Sequence, residues 1–70
     1  MQLTNKVVNE EDKATYIVET DDEQSTVYVL NDEGEKEGPP IYENFYNFQY
    51  SEEDIMENHN LIIRAIMDMV

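Results

Sequence analysis

Polar, acidic breaks divide the first fifty residues of this 70-residue chain into segments of at most ten residues. Three of these segments, at 3–8, 14–19 and 25–30, contain β-branched residues, and the second and third also contain an aromatic residue, which favours strands. The link between the second and third segments is short and polar, as in a β-hairpin. No apolar segment approaches the roughly 20 residues that a membrane-spanning helix requires.

The next two stretches are less regular. Residues 31–40 contain both glycines, both prolines and four acids, so this stretch is predicted to be a loop. Residues 41–50 fit two patterns, since their aromatic side chains nearly alternate as in a strand, while three apolar residues have helical spacing. The aromatic content favours a strand here, and Phe45 and Phe48 are predicted to belong to the core.

A helix is predicted from Ser51 to the end of the chain. Ser51 and Asp54 have the spacing of a capping box, and acids in the first turn suit the positive end of a helix. Residues 58–60, Asn-His-Asn, are poor helix formers that are expected to weaken or kink its middle. The predicted apolar face comprises Ile55, Ile62, Ile66 and Val70, flanked by Met56, Ile63 and Met67.

These elements predict one α+β domain over residues 1–70. A small antiparallel β-sheet of three to four strands would carry the C-terminal helix packed on one face. Leu, Ile, Val and Phe make up 17 of the 70 residues, which exceeds the roughly 20% below which disorder is the default. A domain of this size buries only about 60% of its unfolded surface, so modest stability is expected.

The charge of the chain excludes several classes of partner. With 17 acids against four Lys or Arg, the net charge is −13, so direct binding to nucleic acid or to an anionic membrane is not expected. The chain has no Cys, and Met1 precedes no basic, apolar leader, as expected for a cytoplasmic protein. A positively charged partner is the expectation that remains.

Most of the acids are predicted to form two groups, because alternate connections of an up-and-down sheet lie at the same end. The first acidic cluster comprises Glu10, Glu11, Asp12, Asp32, Glu33, Glu35 and Glu37. The second acidic cluster comprises Glu19, Asp21, Asp22, Glu23, Glu52, Glu53, Asp54 and Glu57. Such a charge exceeds the magnitude of about 2–8 that solubility requires, which favours a binding role for the acids over a merely solvated surface.

Motifs for metal binding or catalysis are weak. Residues 21–32 place oxygens at several positions of a calcium loop, but Thr26 replaces the required Gly, so only weak Ca²⁺ association is expected. Zinc has no support without Cys and with a single His, and no cofactor is predicted. The lone His59 has no nucleophile placed beside it by a motif, so the chain is predicted not to be an enzyme. His59 is instead predicted to be a partly exposed packing or polar residue.

Small, Cys-free, strongly acidic chains with runs such as Asn-Glu-Glu-Asp, Thr-Asp-Asp-Glu and Ser-Glu-Glu-Asp resemble bacteriophage DNA-mimic proteins. The resemblance covers composition, size and acid clustering but no diagnostic motif, so it assigns no residue a role. It implies a host-takeover inhibitor that occupies the cationic DNA-binding surface of a host protein in the host cytoplasm. The nucleoid-associated protein HU is the preferred target, because HU grips DNA without sequence preference.

An alternative function uses the aromatic segment instead of the charge. In that hypothesis the chain is an interaction module, such as an RNA polymerase-binding accessory or a phage adaptor. Tyr42, Tyr46 and Tyr50 would anchor the partner, since Tyr is enriched at binding hot spots. A homodimer through Met67, Met69 and Val70 is a further possibility.

Overall fold

The computed structural model describes residues 1–68 and confirms the α+β class. Its four strands form one antiparallel sheet in the order β1-β2-β3-β4, so each strand pairs with its neighbour in sequence. The helix packs mainly on the first two strands. The elements are β1 (Leu3–Asn9), β2 (Ala14–Thr20), β3 (Gln24–Leu30), β4 (Tyr42–Phe45) and α1 (Glu52–Met67).

The strand register divides the sheet into a helix-covered face and an open face. Val18 pairs with Val27 across β2 and β3, and paired residues point to the same face. Val7 and Tyr16 lie on this face too, and all four are buried with Ile66 of the helix in one core. The alternating residues of each strand, such as Glu19 and Tyr28, point to the open face.

Helix α1 begins with the predicted capping box. The Asp54 amide donates to Ser51 Oγ (3.1 Å), and the Ser51 amide donates to the Asp54 carboxylate (3.4 Å). The helix continues through residues 58–60 without interruption, so the predicted weak point is not a break. Tertiary contacts override the low propensity of these residues, because His59 is itself buried in the interior.

The apolar stripe of the helix is confirmed in part. Ile55 and Ile66 are buried, and Ile62 and Ile63 are half-buried against the core. Met56 and Met67, which were expected to flank this face, are exposed. Met69 and Val70, which were expected to extend the stripe or pair with a second copy, lie outside the described residues.

The segment 41–50 forms a strand only at Tyr42–Phe45, and the predicted burial of its two phenylalanines is wrong. Phe45 is 68% exposed and Phe48 is 95% exposed. Phe45 pairs with Gln24, so its side chain lies on the open face of the sheet, away from the helix. Phe48 follows the strand in a turn where Tyr50 N–H donates to the Asn47 carbonyl (3.1 Å).

The loop between β3 and β4 is more ordered than the sequence suggests. Asn31 Oδ1 accepts from the amides of Glu33 and Glu35 (both 2.9 Å), which closes a tight turn. Gly34 has a φ of 81° in this turn, a backbone conformation that glycine adopts without strain. Further along, the amides of Glu37 and Ile41 donate to β3 carbonyls and extend the pairing towards β4.

The one helix of residues 1–68 lacks the length and the apolar character that a membrane-spanning helix needs.

Candidate functional site

The meander places the acids at two opposite ends of the sheet. The β1–β2 turn and the β3–β4 loop share one end and carry the first acidic cluster. The β2–β3 turn and the segment leading to α1 share the other end and carry most of the second. Thirteen of the fifteen predicted acids are exposed, and only Glu19 and Asp21 are half-buried. The molecule is 36 Å long, so the clusters form two separate surfaces.

Several acids of the second acidic cluster also serve local structure. Asp21 Oδ1 accepts from the amides of Glu23 (2.7 Å) and Gln24 (2.9 Å), which fixes the β2–β3 turn. Asp22 forms an ion pair with the N-terminal amine (3.2 Å). Asp54 caps the helix. These bonds hold the three carboxylates in defined positions. The side chains of Glu23, Glu52, Glu53 and Glu57 make no such bond among the described contacts.

Glu19 is the penultimate residue of β2, so it lies near the end where the sequence placed it, but its carboxylate is already paired. It lies within β2 on the open face, where Oε1 accepts from Lys36 Nζ at 2.7 Å. The Lys36 ammonium also lies 4.2 Å from the centre of the Tyr28 ring, a cation–π contact. The hydrogen bond to Glu19 raises the pKa of Lys36. The pair neutralises Glu19, so this acid is a weaker candidate for partner binding than the acids that have no ion pair among the described residues.

The three candidate tyrosines have different surroundings. Tyr42 and Tyr50 are each about half exposed and accessible to a partner. Tyr46 is half-buried and uses its hydroxyl inside the protein, bonding to Ser25 Oγ and accepting from Asn58 Nδ2 (2.6 Å). Its ring packs edge-on against Tyr50, with 5.4 Å between ring centres. Tyr46 is therefore part of the fold, and Tyr42 and Tyr50 are the better candidates for anchors.

A chain of side-chain hydrogen bonds runs through the interior. His59 Nε2 bonds to Asn5 Oδ1 (2.7 Å), and His59 Nδ1 bonds to Thr20 Oγ1 (2.6 Å). Thr20 Oγ1 bonds in turn to Ser25 Oγ (2.6 Å), which continues to Tyr46. Asn58, the neighbour of His59 on the helix, donates to the Tyr46 hydroxyl, so both ends of this part of the network lie on α1. The network joins α1 to β1, β2, β3 and the segment after β4.

The proton positions in this network follow from its acceptors. Asn5 Oδ1 can only accept, so His59 Nε2 carries the ring proton and Nδ1 accepts from the Thr20 hydroxyl. Thr20 then accepts from Ser25, Ser25 accepts from Tyr46, and Tyr46 accepts from the Asn58 amide. A second proton on the ring would point at the Thr20 proton and reverse this order. The order that begins with the Asn58 amide as donor is therefore the one that neutral His59 completes.

Sequence reasoning missed the burial of His59, which is only 2% exposed. The helical position alone carried a signal, since residue 59 falls between Ile55 and Ile66 on the apolar face. Burial lowers the pKa of His59. Ser25 and Thr20 are buried too, so the centre of the network is a structural connection between the helix and the sheet.

This network predicts a pH dependence of stability. Since the pKa of folded His59 is below its unfolded value of about 6.5, the unfolded state binds more protons between the two values. The stability that the folded protein gains from holding His59 neutral is complete above about pH 6.5. It is lost as pH falls from there through the folded pKa, and the free energy of unfolding decreases by up to about 1.4 kcal/mol per pH unit. The chain has one His, so an NMR titration of the imidazole reads it directly. A midpoint above 6.5 would contradict the assignment.

The possible calcium loop is not a loop in the structure. Residues 24–30 form β3, so Asp21 and Asp32 lie at opposite ends of a strand, and Ser25 is fully buried. Among residues 1–68, no group of three or more His, Cys, Asp or Glu is arranged to hold a metal ion.

Comparison with known proteins adds no relative to this picture. No family model, no curated protein and no solved structure matches the chain at significant similarity.

Proposed function

We propose that the protein is an acidic DNA mimic that binds the cationic DNA-binding surface of a host protein and blocks its binding to DNA. The observation that carries the proposal is the exposure of 13 acids in two end clusters on one small scaffold. A bacteriophage origin and action in the host cytoplasm belong to the same proposal. HU is the preferred target, because a protein that grips DNA through charge can be occupied by charge alone.

The fixed positions of the acids support mimicry over simple solubility. A phosphate surrogate must present its charges in a defined array, since counterion release from such an array supplies the affinity of DNA-binding proteins. The capping box and the Asp21 turn hold the backbone that carries the second acidic cluster. The Asn31 turn does the same for Glu33 and Glu35 in the first.

The small number of acids that are paired with a cation supports the same proposal. Within residues 1–68, the ion pairs of the acids are those of Glu19 with Lys36 and Asp22 with the N-terminal amine. The other clustered acids therefore keep their charge available to a partner. Long-range attraction between such a surface and a basic groove would make association fast and strongly dependent on salt.

A second candidate function rests on the exposed aromatic side chains. Phe45 and Phe48 are more exposed than any other large apolar residues of the described chain, and Tyr42 and Tyr50 are half exposed nearby in sequence. Large exposed aromatics are typical of protein-binding surfaces. An interaction module that docks through this segment would not need the acids, and its affinity would change little with salt.

Competition with DNA distinguishes the two functions. The protein is titrated into a complex of purified HU with a labelled DNA duplex at 50, 100 and 200 mM salt, followed by fluorescence anisotropy. Mimicry predicts full displacement of the DNA, with an apparent affinity that falls at least tenfold across this salt range. A panel of other basic DNA-binding proteins tests the target. Failure to displace DNA from every one of them would contradict mimicry.

A further inference from the structure

The helix leaves part of its own sheet face uncovered. Four strands about 4.8 Å apart make a sheet about 19 Å wide, whereas one helix covers about 10 Å. Because α1 packs mainly on β1 and β2, it leaves β3 and β4 uncovered on this same helix-covered face. An apolar groove of about 480 Å³ lies there. Its sheet wall is Val27, Ile41 and Tyr42, and its helix wall is Asn58, Leu61, Ile62, Ala65 and Ile66.

The shape of this groove fits a second helix. The uncovered width is about that of one helix, and the helix wall presents side chains at i, i+3 and i+7 (Asn58, Leu61, Ala65), the spacing along which helices pack. Ala65 is small and permits close approach of another backbone. Leu61, Ile41 and Tyr42 are about half exposed on the groove walls, so an occupant would bury further apolar surface.

The charge around the groove indicates the chemistry of that helix. Asp54 and Asp68 lie two helical turns before and after Leu61, and Glu57 lies one turn before it. The cation Arg64 lies three residues after Leu61, so this side of α1 carries three exposed acids against one exposed cation. A second copy of this chain would bring its own charge of −13 to the contact. Basic side chains along the edge of the occupant would instead complement this rim.

We infer that the groove between α1 and β3–β4 binds an amphipathic helix of the partner protein, with an apolar stripe on the groove and Lys or Arg facing Asp54, Glu57 and Asp68. The inference rests on the proposed function in one respect, since both require a cationic partner. It adds a contact that charge alone does not provide. Apolar burial in the groove would make the complex resistant to salt beyond the electrostatic attraction of the acidic clusters.

A designed peptide tests the groove without knowledge of the target. The probe is an 18-residue Leu/Lys peptide with Leu at the positions of one helical face, and the control is the same composition scrambled so that no face is apolar. NMR titration of the labelled protein is expected to shift the signals of Ile41, Tyr42, Leu61 and Ala65 with the amphipathic peptide. The scrambled peptide should bind at least tenfold more weakly at 200 mM salt.

Two variants with matched exposure give the decisive comparison. Leu61 is 48% exposed in the groove, and Met56 is 46% exposed on the other side of the same helix. Leu61→Ala is expected to weaken binding of the amphipathic peptide about tenfold, and Met56→Ala less than twofold. Equal effects, equal binding of the scrambled peptide, or a dimer of the protein closed through the groove would overturn the inference. None of these results would affect displacement of DNA by the acids, so the two proposals fail separately.

Discussion

Replacing His59 with Leu should destabilise the protein by about 2–4 kcal/mol at pH 7.5. The change removes the bonds to Asn5 and Thr20 and leaves the buried Thr20 hydroxyl proton without its acceptor. A net hydrogen bond contributes about 1 kcal/mol, and a buried unsatisfied group costs about 1–3 kcal/mol. Since 70 residues imply a total stability of roughly 3.5–10 kcal/mol, the variant would lie close to unfolding.

Urea unfolding followed by circular dichroism measures the change, with Asn60→Leu as the matched control. Asn60 is the next residue of the same helix and is exposed, so its replacement should change the free energy of unfolding by less than about 0.5 kcal/mol. The double variant His59→Leu, Thr20→Val should recover part of the loss, because it removes the stranded donor as well. A His59→Leu loss as small as that of the control would show that the network adds no stability.

The sequence predicted the elements of the fold well because their signals are local. Acid-rich breaks end each of the first three strands, and β-branched residues fill β1 to β3 at positions close to those observed. Ser51 and Asp54 form the predicted capping box through bonds that span only three residues. Consecutive strands with short links also predict a meander, which is the order observed.

The errors concern contacts between elements, which local patterns do not specify. Phe45 and Phe48 were expected in the core on grounds of hydrophobicity, but α1 packs on β1 and β2 and does not reach the face or turn where they lie. His59 was expected to be partly exposed, but partners 39 and 54 residues away in sequence bury it. Both errors have one cause, since the lateral position of the helix on the sheet is not encoded in any single segment.

The same limit applies to the candidate site. The grouping of the acids at two ends follows from strand order alone, so it could be predicted before any side chain was placed. The pairing of Glu19 with Lys36 could not, because it depends on how the β3–β4 loop extends along β3. The groove beside α1 could not be predicted from the sequence either, because it exists only where the helix leaves half of the sheet uncovered.

Charge reversal at one end of the molecule should reduce affinity for a cationic target by at least a hundredfold. Two variants are matched: Glu10→Lys with Glu11→Lys in the first acidic cluster, and Glu23→Lys with Glu53→Lys in the second. Each changes the net charge by +4, from −13 to −9. Asp21 stays unchanged, because its carboxylate fixes the β2–β3 turn. A loss of about 1.5 kcal/mol for each reversed contact gives roughly 3 kcal/mol, which is more than a hundredfold.

The two variants are compared by displacement of DNA from HU at 100 mM salt, with circular dichroism to confirm that both remain folded. Because the clusters lie at opposite ends of a molecule 36 Å long, one basic groove should contact mainly one of them. We therefore expect a large loss in one variant and a loss below about fivefold in the other, which retains only the weaker effect of overall charge. Equal, modest losses in both would mean that net charge rather than an array of acids drives binding. No loss in either charge variant, together with larger losses for Tyr42→Ala and Phe48→Ala, would instead support the aromatic function.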